Sequence, residues 1–169
     1  MNVRARSAKR KRKVLRDFHT LQNDCVLPNE MAGGPCEGPQ NRRHEAILCV
    51  MCQISNADYA SLVKQLDAWS WFIPDARIYG MVEPVPCGGG QDGLHRIIYL
   101  SPLLEKETPD VLVAVVAHEL AHIALGHEMF NQNDKYEKHE KQVFQRLCEW
   151  GFTAEAKKHR ASLAKRGLK

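Results

Sequence analysis

The chain has 169 residues, 44% of them hydrophobic, which is enough for one domain with a real buried core. Its net charge of +4 is unevenly spread: Arg4, Arg6, Lys9, Arg10, Lys11, Arg12, Lys13 and Arg16 all precede the first acid, Asp17, and setting those eight aside leaves 16 basic residues against 20 acids. No stretch reaches the roughly 18 apolar residues of a transmembrane helix, and the first residues lack the apolar run of a secretory signal, so the expectation is a cytoplasmic protein with no membrane span.

Residues 1–20 read as a basic arm on a mildly acidic domain over 21–169. Such an arm suits contact with nucleic acid or another anionic partner, where each neutralised phosphate releases a counterion, and it equally suits a solvated tail. Pro28, Gly33-Gly34-Pro35 and Gly38-Pro39 then mark an irregular connection. His44 to Ile54 reads as an apolar helix. Ser55 or Asn56 caps a second helix whose stripe is Leu62, Leu66, Trp69 and Phe72.

After this the period changes to two. Ala76 to Val82 and His95 to Leu100 read as strands rich in β-branched and aromatic residues, joined through Pro84, Pro86 and Gly88-Gly89-Gly90. Thr108-Pro109-Asp110 is a helix start, with a hydroxyl cap, a proline at the first helical position and an acid in the first turn. Val111 to Ala117 is apolar on every face, as a helix buried on all sides requires. Asn131 to Asp134 forms a polar turn, and a helix from about Lys135 to Trp150 carries the stripe Tyr136, Val143, Phe144, Leu147 and Trp150. Gly151 fits its C-terminal cap, and Thr153 starts a last, basic helix.

His118-Glu119-Leu120-Ala121-His122 has the form H-E-x-x-H. On a helix, positions i and i+4 share a face, so both imidazoles reach one metal ion while Glu119 turns aside within reach of a water on that metal. Zinc with three protein ligands lowers the pKa of bound water to about 7, and a carboxylate beside it accepts the proton. Three polar groups following so apolar a run need compensation, and a metal supplies it. The third ligand is open by phase and ligand type among Glu140, His139, His127 and Glu137. Glu140 lies on the inward stripe, whereas His127 falls about 140° beyond His122 unless the helix ends at Gly126.

Val113 to His127 resembles the active-site helix of gluzincin metallopeptidases, especially the HtpX-like and IrrE/ImmA-like families. The resemblance implies an α+β fold: a small zincin-like domain, helices packed on a short sheet, with the motif on a buried active-site helix. It implies a zinc endopeptidase holding one Zn2+ per chain through His118, His122 and Glu140, with Glu119 as general base and a protein or peptide as substrate. The family pattern E-x-x-A-D meets Glu140-Lys141-Gln142-Val143-Phe144 here, so Phe144 stands in place of the aspartate. The edge strand that holds extended substrate in such enzymes corresponds to Arg96, Ile97, Ile98, Tyr99 and Leu100. Two other readings stand beside this one. A SprT-like protease acting on DNA-associated proteins would use His139 as ligand and the arm as a DNA contact. A zinc-containing scaffold protein would keep the fold without turnover.

The carbonyl-stabilising group is open among Tyr136, His127 and His139. Cys49 and Cys52, spaced C-x-x-C, could form a second zinc site with Cys25 and Cys36, although they lie in an apolar run where cysteine is usually a small buried hydrophobe; Cys87 and Cys148 complete the six. His95 and His159 read as unliganded surface groups.

Overall fold

The computed structural model describes residues 9–10, 12–14, 40–70, 79–85, 95–127 and 133–167. Five helices and three strands are defined there: α1 (Gln40–Gln53), α2 (Asn56–Gln65), β1 (Leu66–Ser70), β2 (Gly80–Val85), β3 (His95–Leu100), a 3-10 turn (Pro102–Lys106), α3 (Pro109–Ala124), α4 (Asn133–Glu149) and α5 (Thr153–Lys165).

Helix α3 is the centre of the packing. It starts at Thr108, whose hydroxyl accepts from the Val111 amide, with Pro109 in the first turn. Eleven of its 16 residues are buried, and it packs against all four other helices and against β2 and β3. An apolar run with no polar face has no stable place at a surface, so the other elements close around it. Ile47, Val50 and Met51 of α1, Ile54 just after it, Leu62 of α2, Val82 of β2, Ile98 and Leu100 of β3, and Val143 and Leu147 of α4 supply the surrounding core.

Ser55 caps α2: its oxygen accepts from the Asp58 amide at 3.0 Å and its hydroxyl donates to the Asp58 carboxylate at 2.8 Å. Asp58 also accepts from Arg146 at 2.8 Å and from the Trp150 indole at 3.0 Å, which ties α2 to the end of α4. Burial works to raise the Asp58 carboxyl, but these donors outweigh it and hold it below the usual range.

The expected stripe continuing through Leu66 and Trp69 is corrected. The helix stops at Gln65, and both residues lie in β1, which pairs in parallel with β3. Phe72 lies outside the described residues. The sheet order is β1-β3-β2, with β2 antiparallel to β3. The expectation of an edge strand at Arg96, Ile97, Ile98, Tyr99 and Leu100 is therefore also corrected, because that strand is central and its backbone is bonded on both sides. The unrecognised β1 is the cause: a short strand directly following a helix has no change of period to announce it. Strand β2 starts later than expected, at Gly80, and residues 76–78 lie outside the described region.

Part of the basic arm belongs to the folded body. Val14 is fully buried, and the Arg10 guanidinium donates to the Met51, Ile54 and Ser55 carbonyls at the end of α1 while lying 4.0 Å over the Tyr59 ring. A cation at a helix C-terminus complements the exposed carbonyls there. Lys9, Arg12 and Lys13 remain exposed, Lys13 also above Tyr59. No helix among the described residues is long and apolar enough to cross a membrane. Cys49, Cys52 and Cys148 are half-buried, Cys49 and Cys52 pack against the core, and burial pushes the Cys49 thiol up. Cys25, Cys36 and Cys87 lie outside the described residues.

Candidate metal centre

Helix α3 brings His118 and His122 one turn apart, with their Nε2 atoms 3.1 Å from each other. Helix α4 delivers Glu140 against both: Oε1 lies 3.3 Å from His122 Nε2 and Oε2 lies 3.6 Å from His118 Nε2. These three residues form the one group among the described residues whose donor atoms could share a metal ion. Three N and O donors at zinc bond lengths of about 2.0–2.2 Å around a tetrahedral ion stand roughly 3.3–3.5 Å apart. The observed distances lie near that spacing, the two to Glu140 being to different oxygens of its carboxylate; with one donor atom from each residue, all three lie within 4.8 Å of one another.

The electrostatics favour a cation in the same place. Burial drives the His118 imidazole down to about 3, so at neutral pH it presents a lone pair rather than a charge. Burial alone would raise the Glu140 carboxyl, but its contacts with His122 and His118 outweigh that and leave it below the usual range. Two imidazoles facing a carboxylate are a donor set for a divalent ion.

Glu119 is only 4% exposed, and burial together with the Glu140 charge lifts it to about 7. It is not one of the clustered donors. The backbone of Gly80, at the start of β2, lies directly against it: a Cβ there would fall 2.5 Å from Glu119 Oε1. An isolated glycine in a strand often marks such a close approach, and this signal was present in the sequence unused.

The other histidines fall differently from expectation. His159, expected at the surface, is only 8% exposed. Its ring packs edge-on to His118 at 5.9 Å and stacks on Tyr79 at 6.0 Å, and Tyr79 in turn donates to Glu107 at 2.6 Å. Phe152, Ala156 and His159 recur at helical spacing and are all buried, so the stripe was legible even though the basic composition of α5 concealed it. His159 Nε2 is buried and has no hydrogen-bond partner among the described residues, an orphaned polar atom beside the three donors. Burial lowers this imidazole to about 4.

His127 and His139 stack face to face, with centroids 4.0 Å apart and planes 7° from parallel, outside the donor cluster. Glu137 is exposed and also outside it. Tyr136 is 59% exposed rather than part of the buried stripe, because it precedes the buried part of α4 by two turns. It nevertheless feels both carboxylates: burial, then Glu140 and Glu119, raise its hydroxyl. Phe144, in the place of the family's aspartate, packs beside the core under the Arg160 guanidinium, 4.0 Å above its ring.

Two imidazoles one turn apart on a buried helix, a carboxylate from the next helix and a second, pKa-shifted carboxylate beside them define a metallopeptidase type of centre. In agreement with that geometry, residues 86–165 match the model of Peptidase family M48. The match spans β3, α3, α4 and α5, and so includes every residue of the donor cluster; the protein is a zinc-type metallopeptidase, a hydrolase. Comparison with curated proteins gave no match, and comparison with solved structures gave none.

Proposed function

We propose that the protein is a zinc-dependent endopeptidase built as a small zincin-like domain, in which His118, His122 and Glu140 hold one Zn2+ and Glu119 is the general base. The observation that carries this reading is the set of donor separations of 3.1, 3.3 and 3.6 Å with buried Glu119 next to His118 in the chain. Bound zinc supplies a water of lowered pKa and a Lewis acid for the scissile carbonyl. Glu119, poised at about 7 by burial, takes the proton of the attacking water and returns it to the leaving amine. Tyr136, exposed on α4 one turn before Glu140, is the side chain that supports a role in stabilising the developing oxyanion. His127 is committed to other contacts and His139 is stacked upon it.

Extended substrate would add along β2 rather than β3. Strand β2 is an outer strand of the described sheet and starts against Glu119, so a peptide bonded to its outer edge lies beside the general base. The SprT-like reading needs His139 as ligand and loses support from its position on His127. A scaffold role leaves the buried, shifted Glu119 without a purpose.

The test is cleavage of a mixed peptide library by protein purified without added metal. Activity should disappear on treatment with a zinc chelator and return on adding about one equivalent of Zn2+. Chelator-insensitive cleavage, or none with zinc restored, would overturn the reading.

A further inference from the structure

Resting on the zinc assignment above, we propose that His127 and Gln142 are positioning residues that fix His122 in the tautomer able to ligate the metal. His122 Nδ1 lies 3.0 Å from His127 Nδ1, and His127 Nε2 lies 3.1 Å from Gln142 Oε1. Gln142 Oε1 is an acceptor only, so His127 carries its proton on Nε2 and donates there. A neutral imidazole has a single N–H, which leaves His127 Nδ1 as an acceptor. His122 therefore donates from Nδ1, and its lone pair sits on Nε2, the atom that faces His118 and Glu140. The chain of bonds has one consistent direction, and that direction prepares the ligand.

The backbone explains how a residue five positions beyond His122 returns to its ring. Gly126 adopts φ 68°, its amide bonds the Ile123 carbonyl and the His127 amide bonds the His122 carbonyl, both at 3.0 Å. This is a Schellman ending, which needs a residue free to take the left-handed conformation at Gly126. It folds His127 back over the last turn of α3 instead of carrying it about 140° further round. Stacking of His139 on the His127 ring holds the ring plane. Metal-bound histidines commonly donate their second nitrogen to a carboxylate or carbonyl. Here the acceptor is a second imidazole, oriented by an amide from the helix that also carries Glu140.

Removing such an outer partner typically weakens metal binding by about 10–100-fold. The experiment is zinc affinity, read by competition with a chelating dye, for wild type, His127→Ala, His127→Asn and Gln142→Leu. Asparagine carries its Oδ1 where histidine carries Nδ1, so it keeps the acceptor for His122. The expected result is a zinc Kd weaker by about 10–100-fold in His127→Ala, within about threefold of wild type in His127→Asn, and intermediate in Gln142→Leu. Thermal unfolding of the metal-free proteins should not separate the Ala and Asn variants. Wild-type affinity in His127→Ala, or equal weakening in the Ala and Asn variants, would overturn the proposal while leaving the zinc site standing. Absence of zinc binding in wild type would overturn both.

Discussion

Glu119→Gln is expected to abolish turnover, by about 10²–10⁴-fold, while zinc remains bound with near wild-type affinity. The amide keeps the shape of the carboxylate and removes its ability to accept a proton, and Glu119 is not one of the three clustered donors. The same variant should stabilise the metal-free fold, with a sign that follows from burial. In the folded chain Glu119 titrates at about 7, above the ordinary glutamate value of 4.5. Between those values the folded state holds a proton that the unfolded state has released, so stability falls as pH rises through that window. Above it, the folded protein carries a buried carboxylate whose cost is on the order of 3–4 kcal/mol, at about 1.4 kcal/mol per pKa unit. Glutamine has no such titration. Metal-free Glu119→Gln should therefore unfold at higher denaturant than wild type at pH 8 and at a similar concentration near pH 4. Retained turnover would remove Glu119 from the chemistry, and a stability difference independent of pH would remove burial of its charge as the cause.

Gly80→Ala should be nearly as damaging, though it changes a residue with no chemistry of its own. The added Cβ would lie 2.5 Å from Glu119 Oε1 and 2.9 Å from both Cδ and Cγ. Rotation of the carboxylate tip alone does not relieve a clash that includes Cγ, and a side chain only 4% exposed has no empty volume to enter. Either β2 moves away or Glu119 is pushed off its position, at a cost of about 1–3 kcal/mol. A displacement near 1 Å at a catalytic group costs about 10²-fold in rate. The expected pattern is a kcat loss of that order with zinc affinity close to wild type, because the three atoms nearest the added Cβ all belong to Glu119. Full activity in Gly80→Ala would mean that Glu119 has freedom the packing denies it.

The parts of this account that were legible in the sequence share a physical basis. The central helix could be read from an uninterrupted apolar run with a Thr-Pro-Asp start, and the observed Thr108 cap and the burial of eleven of the helix's 16 residues follow from the same residues. The spacing of His118 and His122 needed only helix geometry. Helical phase favoured Glu140 over His139 without deciding between them, since the stripe through Val143 and Leu147 has to face the core. What escaped depends on contacts distant in sequence. His159 is buried because Tyr79 covers its ring, a partner 80 positions away, and a basic helix gave no reason to expect it. The central place of β3 follows from β1, whose five residues continue directly from α2. His127 was legible only as a condition on where the helix ends, and the left-handed turn at Gly126 meets that condition.

The most direct test of the account is metal content by mass spectrometry on protein purified without added metal, comparing wild type with Glu140→Ala and His139→Ala. The separations around His118, His122 and Glu140 predict about one zinc per wild-type chain, retained in His139→Ala and lost in Glu140→Ala. Zinc lost in His139→Ala and kept in Glu140→Ala would contradict the assigned ligand set, and a wild-type protein without zinc would contradict the metal centre itself.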